Sequence, residues 1–245
     1  MTVPLRRAEE ARAVMVELFP DGFEEVDHDG ALELAAYTDA SGEERLWHTF
    51  GAATGSDVED GWEERWRAFH RPVEIGLLWI GPPWEEPAPG LLPVVIDPGQ
   101  AFGTGGHPTT RLCLALLQEL ERGSVLDVGC GSGVLSIAAA KLGYAPVRGV
   151  DVEPQAIAAT EENARANGVD VDVRLVDAAA ATLPEADLAL ANISFAALQA
   201  VAPRLSSATL VASGYLVADE PELPGYRHVE RRTEGAWAAD IFRRA

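Results

Sequence analysis

Residues 125–133 read VLDVGCGSG. Four residues of strand character run straight into glycines at every second position, Gly129, Gly131 and Gly133. A helical stretch, VLSIAAAKL, follows at once, and the acid Asp151 closes the next apolar run, VRGVD. This order predicts the first strand–helix turn of a doubly wound sheet, with a nucleotide-like ligand lying across it. Glycines let the backbone approach such a ligand, and the acid accepts hydrogen bonds from ribose hydroxyls. A dinucleotide fold uses G-x-G-x-x-G, whose third glycine packs the helix on the strand beneath a pyrophosphate. Here the third glycine arrives one residue early, as G-x-G-x-G. The tighter loop suits S-adenosylmethionine, which brings no phosphate, and argues against an NAD-dependent oxidoreductase.

Outward from this turn the α/β rhythm is regular. Helices are predicted over 109–121, 134–142, 154–167 and 194–205, with strands at VLDV, VRGV, VDVRLV, DLALAN and TLVASGYL. Pro154 near the start of the third helix and Gly168 just past its end follow the usual capping asymmetry. The tail, YRHVERR then AWAADIF, alternates like an antiparallel pair across Glu234-Gly235. The fold class expected is therefore α/β: a Rossmann-like, doubly wound, mostly parallel sheet with an antiparallel C-terminal strand.

Three regions are expected. Residues 1–55 read as a small α+β domain for substrate recognition. Its helix, over 8–19, places Ala11, Val14, Met15, Leu18 and Phe19 on one face before Pro20-Asp21-Gly22 breaks it. The runs FEEVDH and ALELAAYT form a hairpin around Asp29-Gly30, and VPLRR offers a strand ahead of the helix. Residues 56–98 read as a helix and strand connector behind the linker GAATGSD. Val58, Trp62, Trp66 and Phe69 share one face of a helix over 58–70, then come a strand, VEIGLLWI, a proline-rich turn and a strand at LPVVID. Residues 99–245 carry the cofactor domain.

Composition sets outer bounds. The 245 residues are 47% hydrophobic and 24% charged, ordinary for a globular chain with a sizeable core. No apolar run approaches the ~20 residues that span a bilayer. Two arginines near the N-terminus have no apolar stretch behind them, so no signal peptide is expected. Cys113 and Cys130 lie far apart without a CxxC, giving neither a disulfide framework nor a zinc site and fitting a cytoplasmic location. The net charge of −20, from 39 acids and 19 bases, argues against direct nucleic-acid binding, which needs cationic side chains to neutralise phosphates. It would attract a basic partner, or serve solubility alone.

Several residues carry candidate chemistry. Asp151 reads as the ribose ligand, or as a helix N-cap ahead of Pro154. Asp127, within the first strand, would hold the cofactor's ammonium group or brace the glycine turn. Asp177 follows the third strand, where an adenine amino group would lie, or is an exposed loop aspartate. Asn192 ends the fourth strand at the carboxyl edge, where its amide acceptor would aim an amine's lone pair at the methyl group, or serves as a turn residue. The loop FGTGGHPTTR, 102–111, feeds a helix but lacks the G-K-[ST] ending of a P-loop. Its Thr110 would present a hydroxyl and N–H to the cofactor's carboxylate at a positive helix end. His107 has no neighbour at ligand spacing, so no metal is expected.

DPGQAFGTGGHPTTRLCL, LDVGCGSGVLSIAAAKLG, GVDVEPQAI and ANIS together resemble the ribosomal-protein methyltransferases that modify the large-subunit stalk-base protein. WEERWRAFHRP, 62–72, is similar to that family's connector, so the likeness spans about 58–216. The resemblance implies a class I, S-adenosylmethionine-dependent domain behind a small recognition domain. It also implies methylation of lysine side chains and the α-amino group of a basic ribosomal protein; no membrane partner is expected, since no apolar run is long enough to span a bilayer. Matched by motif, Thr110, Gly129, Asp151 and Asn192 would touch the cofactor. The N-terminal unit is short of the family's βαββαβ pattern, and VADEPELPG after the fifth strand leaves little room for its usual final helix.

The candidate cofactor set is thus Phe102, Gly103, Thr110, Asp127, Gly129, Gly131, Gly133, Asp151, Val152, Asp177 and Asn192, with Asn192 also the candidate catalytic residue. Other readings are methyl transfer to a small-molecule amine or nucleic acid, and a non-catalytic S-adenosylmethionine-binding interaction protein.

Overall fold

The computed structural model describes residues 1–4, 7, 11, 14, 15, 18, 19, 24–28, 31–36, 38, 40–51, 71–98 and 105–245. It divides into two compact units, Met1–Trp66 and Arg67–Ala245.

In the first unit β1 (Thr2–Pro4), β2 (Glu24–His28) and β3 (Ala31–Ala35) form an antiparallel sheet in the order β1-β3-β2. The predicted hairpin is present, with His28 opposite Ala31, and VPLRR supplies β1 as a third strand. Ala11, Val14, Met15 and Leu18 are helical, and Ala11, Met15 and Phe19 are buried with Val3, Leu32 and Leu34. A further helix, α1 (Ala40–Phe50), adds to the predicted elements and sends Leu46 into this cluster. The turn at Asp29-Gly30, the break at Pro20–Gly22, the linker beyond Gly51 and the helix over 58–70 lie outside the described residues. Among the described residues the first unit runs β-α-β-β-α.

The second unit opens with a three-stranded sheet of β4 (Val73–Ile75), β5 (Leu78–Gly81) and β6 (Leu92–Val95). VEIGLLWI is not one strand but the hairpin β4–β5. Gly76 takes φ +56°, and Gln118 clasps the turn, its Oε1 accepting from Leu77 N at 2.7 Å and its Nε2 donating to Ile75 O at 3.0 Å.

There follow α2 (Pro108–Glu119), β7 (Val125–Val128), α3 (Val134–Lys141), β8 (Val147–Asp151), α4 (Pro154–Asn167), β9 (Asp172–Leu175), β10 (Leu188–Asn192), α5 (Phe195–Val201), β11 (Thr209–Leu216), β12 (Tyr226–Glu234) and β13 (Trp237–Arg244). The seven-stranded sheet has the order β12-β13-β11-β10-β7-β8-β9. From β11 to β9 every pairing is parallel, while β13 runs antiparallel to both β11 and β12. This is the expected Rossmann-like α/β class. The predicted helix over 194–205 gives way after Val201 to a 3₁₀ turn, Ala202–Arg204, because Pro203 cannot continue an α-helical ladder.

Alternation along the strands assigns two faces. Val125, Leu190, Val211 and Ile241 share a buried cluster with Leu116 of α2, Ile137 of α3 and Ala164 of α4. Leu126, Val128, Ala189, Ala191 and Phe242 share another with Leu198 and Val201 of α5. Central strands covered on both sides are mostly apolar, so the only polar residues of VLDV and LALAN, Asp127 and Asn192, stand out against hydrophobic runs. Leu78, Ile80 and Val94 of the small sheet, with Ile96 just past its end, join the first cluster. Among the described residues no helix is long and apolar enough to cross a membrane.

Candidate functional site

β7 and β10 are neighbours, but the chain leaves β7 toward β8 and β9 and leaves β10 toward β11. Their carboxyl ends therefore open a crevice at the switch point of the sheet, the place where such folds take ligands. The glycine loop lies at one lip and Asn192 at the other.

Gly129, Gly131 and Gly133 all adopt positive φ, at +73°, +54° and +82°. A side chain would be strained at each, and a Cβ on Gly129 would also lie 2.5 Å from Ile193 Cγ2. The N–H groups of all three glycines, and that of Cys130, are already engaged inside the protein. Gly129 N and Cys130 N both donate to Val150 O, at 2.8 and 3.2 Å, and Gly133 N donates to Cys130 O at 2.8 Å. Gly131 N donates to Asp151 Oδ2 at 3.0 Å. A pyrophosphate needs such N–H groups free, so this loop is built for close approach rather than phosphate capture.

Asp151 takes a second backbone bond, from Glu153 N to its Oδ1 at 3.1 Å. The N-cap of α4 is Glu153, without a side-chain bond, so Asp151 is not the helix cap that the alternative reading allowed. Half-buried, with one bond on each oxygen, it keeps acceptor capacity for further donors.

Asp127 is 1% exposed. The Ser136 hydroxyl donates to its Oδ2 at 2.6 Å, tying β7 to α3, while Oδ1 is buried without a hydrogen-bond partner among the described residues. Burial pushes this carboxyl up to about 6, against the opposing pull of the Ser136 hydroxyl. The brace is real, and so is the orphaned oxygen. An unpaired buried carboxylate oxygen is costly, and a cation placed on it recovers that cost.

The start of α2 is prepared locally. His107 is its N-cap, Pro108 fills the first turn, and Thr109 and Thr110 are buried. His107 Nδ1 lies 2.7 Å from Thr109 Oγ1, and its ring meets Trp237 edge-on at 4.7 Å. Burial, aided by Arg111, holds His107 below the ordinary imidazole range, so it caps the helix as a neutral acceptor. At the other lip Asn192 Nδ2 donates to Thr110 Oγ1 at 3.2 Å. Its Oδ1 has no hydrogen-bond partner among the described residues. Two residues far apart in sequence thus meet.

Val152, 60% exposed, stands beside Asp151 as an uncovered apolar surface. Asp177 is exposed, and its Oδ1 accepts from Ala179 N at 2.9 Å to close the turn after β9. Phe102 and Gly103 lie outside the described residues. Among the described residues no group of three or more His, Cys, Asp or Glu is placed to hold a metal.

Two supporting features escaped the sequence reading. Gly214, at φ +100° in a bulge of β11, lies where a Cβ would come within 2.2 Å of Ile193 O, so the backbone after Asn192 rests directly on it. A glycine inside a strand pattern is the available signal for such an approach. The second is the polar face of α4. Thr160, Asn163 and Asn167 are buried at 0, 3 and 9% exposure and bond to the glycine loop and β6, contacts that no local pattern announces.

The family model for ribosomal protein L11 methyltransferase (PrmA) matches residues 11–239. The chain is 46% identical over 170 residues to the ribosomal protein L11 methyltransferase of Symbiobacterium thermophilum, covering 65% of this chain and 56% of that protein. It is 42% identical over 188 residues to the one of Aeromonas hydrophila subsp. hydrophila, covering 71% and 64%. The chain therefore spans between 56% and 64% of the length of these two relatives. Among solved structures, the ribosomal protein L11 methylase of Lactobacillus delbrueckii subsp. bulgaricus aligns with a TM-score of 0.64 at 28% identity, over 71% of this chain and 99% of that one.

Proposed function

Because this chain belongs to the ribosomal protein L11 methyltransferase family, we propose that it moves methyl groups from S-adenosylmethionine to amines of ribosomal protein L11, lysine side chains, the α-amino group or both. The observation that carries the cofactor half is the buried Oδ1 of Asp127, without a hydrogen-bond partner among the described residues, beside a loop whose glycine N–H groups are engaged internally. That pairing suits a ligand with an ammonium group and no phosphate.

The residues divide the cofactor between them. Asp127 Oδ1 takes the ammonium group. Thr110 and the positive end of α2 take the carboxylate. Asp151 accepts from the ribose hydroxyls, and Gly129, Gly131 and Gly133 let the backbone approach. Val152 supplies an apolar surface and Asp177 an acceptor for the adenine, while Phe102 and Gly103 close the set on their sequence position alone. Bound S-adenosylmethionine supplies an electrophilic methyl group on a sulfonium.

The chain's part in the chemistry is to present a neutral amine. A lysine with pKa ~10.4 must lose a proton first, which costs about 4.6 kcal/mol at neutral pH. A nearby sulfonium and partial desolvation both lower that cost. Asn192, anchored through Nδ2 on Thr110, keeps Oδ1 to accept from the amine and aim its lone pair, a positioning role rather than general base catalysis. The net charge of −20 draws in a basic protein, and a ribosomal substrate implies work in the cytoplasm.

The cofactor assignment is tested by calorimetric titration with S-adenosylmethionine and NAD in parallel. Binding of S-adenosylmethionine is expected; binding of NAD alone would overturn the assignment.

A further inference from the structure

Three glycines in a row of alternating residues make a loop that has no conformational preference of its own. It holds its shape because other groups pin its peptides. Thr160 Oγ1 donates to Gly131 O at 2.9 Å, and Asn163 Nδ2 donates to Ser132 O at 2.9 Å. Asn163 Oδ1 at the same time accepts from Asp97 N at 3.0 Å. One turn further along α4, Asn167 pairs with both backbone groups of Val95, accepting from its N at 2.9 Å and donating to its O at 2.6 Å. Asn167 thus serves β6 as an extra strand would, with no bond to the glycine loop. Asn163 differs in spanning two segments, the Ser132–Gly133 peptide and Asp97, which opens the DPGQAFGTGGHPTTR stretch leading into α2.

Resting on the S-adenosylmethionine reading above, we infer that Asn163 is a positioning residue for the cofactor cradle: its one amide locks the glycine loop to the residue from which the Thr110 loop departs. Asn163 is 3% exposed and Ser132 is fully buried, so removing the amide leaves a carbonyl and an N–H without these bonds and takes one restraint from the Ser132–Gly133 peptide, whose Gly133 N still donates to Cys130 O at 2.8 Å. Asn163 itself makes no contact with the reacting groups. Its effect passes through the loop.

The test is calorimetric titration of the full chain with S-adenosylmethionine, for the unmutated protein, Asn163→Ala, Asn163→Asp and Asn167→Ala, with thermal melting alongside. Asn163→Ala is expected to raise Kd by about tenfold or more. Asn167→Ala is expected to lower the melting temperature comparably and leave Kd at the unmutated value. In Asn163→Asp a protonated carboxyl both accepts from Asp97 N and donates to Ser132 O, whereas an ionised one only accepts. The ratio of its Kd to that of the unmutated chain is therefore expected to fall as pH is lowered. An unmutated Kd in Asn163→Ala, or an equal loss in Asn167→Ala, overturns the inference. If Asn163→Ala does not fold, a pH-independent ratio for Asn163→Asp overturns it instead. Absence of binding by the unmutated chain is a separate outcome, which overturns the cofactor reading and this inference with it.

Discussion

Asn192 Nδ2 donates to Thr110 Oγ1 at 3.2 Å, joining the carboxyl end of β10 to the first turn of α2. The bond fixes which end of the amide remains to meet an incoming amine. Asn192→Ala is therefore expected to lower kcat by about 100-fold while changing cofactor affinity far less, since misplacing a reacting group costs on that scale. Thr110→Val removes the anchor but keeps the amide. It should cost part of the same kcat, and the double variant should lose less than the two single losses combined. Steady-state kinetics on the four proteins checks this; additive losses would separate the two residues.

Asp127 gives the site a defined pH dependence. Burial raises its carboxyl from an ordinary 3.8 to about 6, so the folded chain holds that proton more tightly than the unfolded one. Stability from this group is complete below the ordinary carboxylate range and is lost as pH rises through about 6, by about 3 kcal/mol. A cationic ligand reverses the preference, so S-adenosylmethionine affinity should weaken below about pH 6, by up to about tenfold per pH unit. Asp127→Asn should bind more weakly, lose this pH dependence, and melt no lower than the parent at pH 8. Titrations and melts across pH 5–8 read all three.

Asp240 titrates in the other direction. It is fully buried and accepts from Arg231 Nε at 2.8 Å and Tyr215 OH at 2.8 Å, with His228 Nε2 at 2.7 Å. Burial alone would raise its carboxyl, but the bonds from Arg231, Tyr215 and His228 outweigh it and hold the group below the usual range. Its stabilisation is full above the ordinary carboxylate range and disappears as pH falls through the depressed value. Asp240→Ala strands the Arg231 guanidinium, which also holds Val217 O and Asp219 O. A loss of about 3–5 kcal/mol is expected in denaturant melts.

Gly214 and Gly143 offer a matched pair. Both have strongly positive φ, +100° and +91°, but a Cβ on Gly214 would meet Ile193 O at 2.2 Å whereas nothing lies within 4 Å of one on Gly143. Gly143→Ala should cost only backbone strain, about 1–2 kcal/mol. Gly214→Ala adds a backbone collision behind Asn192, so it should be destabilised further and lose turnover as well. Equal losses in the two variants would show that the Ile193 contact is irrelevant.

What the sequence disclosed depended on how local the cause was. The glycine turn over 129–133, the proline and glycine bounding α4, and the β12–β13 hairpin across Glu234-Gly235 all arise from short-range sterics and turn chemistry, and each was legible. Thr110 and Asn192 were legible as separate candidates from their places at element ends, but their mutual bond joins residues 82 positions apart and leaves no local trace. The polar face of α4 was missed for the same reason. Thr160, Asn163 and Asn167 find their partners only once β6, the chain at Asp97 and the glycine loop are packed against α4. VEIGLLWI read as one strand because its apolar run masks Gly76, whose turn depends on Gln118 from α2.

The central claim, methyl transfer to amines of ribosomal protein L11, is tested most directly by incubating the full chain with S-adenosylmethionine and purified L11, then measuring the intact mass of L11 and locating the change by peptide fragmentation. Whole-methyl mass increments are expected on lysine side chains or the α-amino group, absent when Asn192→Ala replaces the parent. Unmodified L11, with methyl groups appearing instead on RNA or a small-molecule amine in the same mixture, would contradict it.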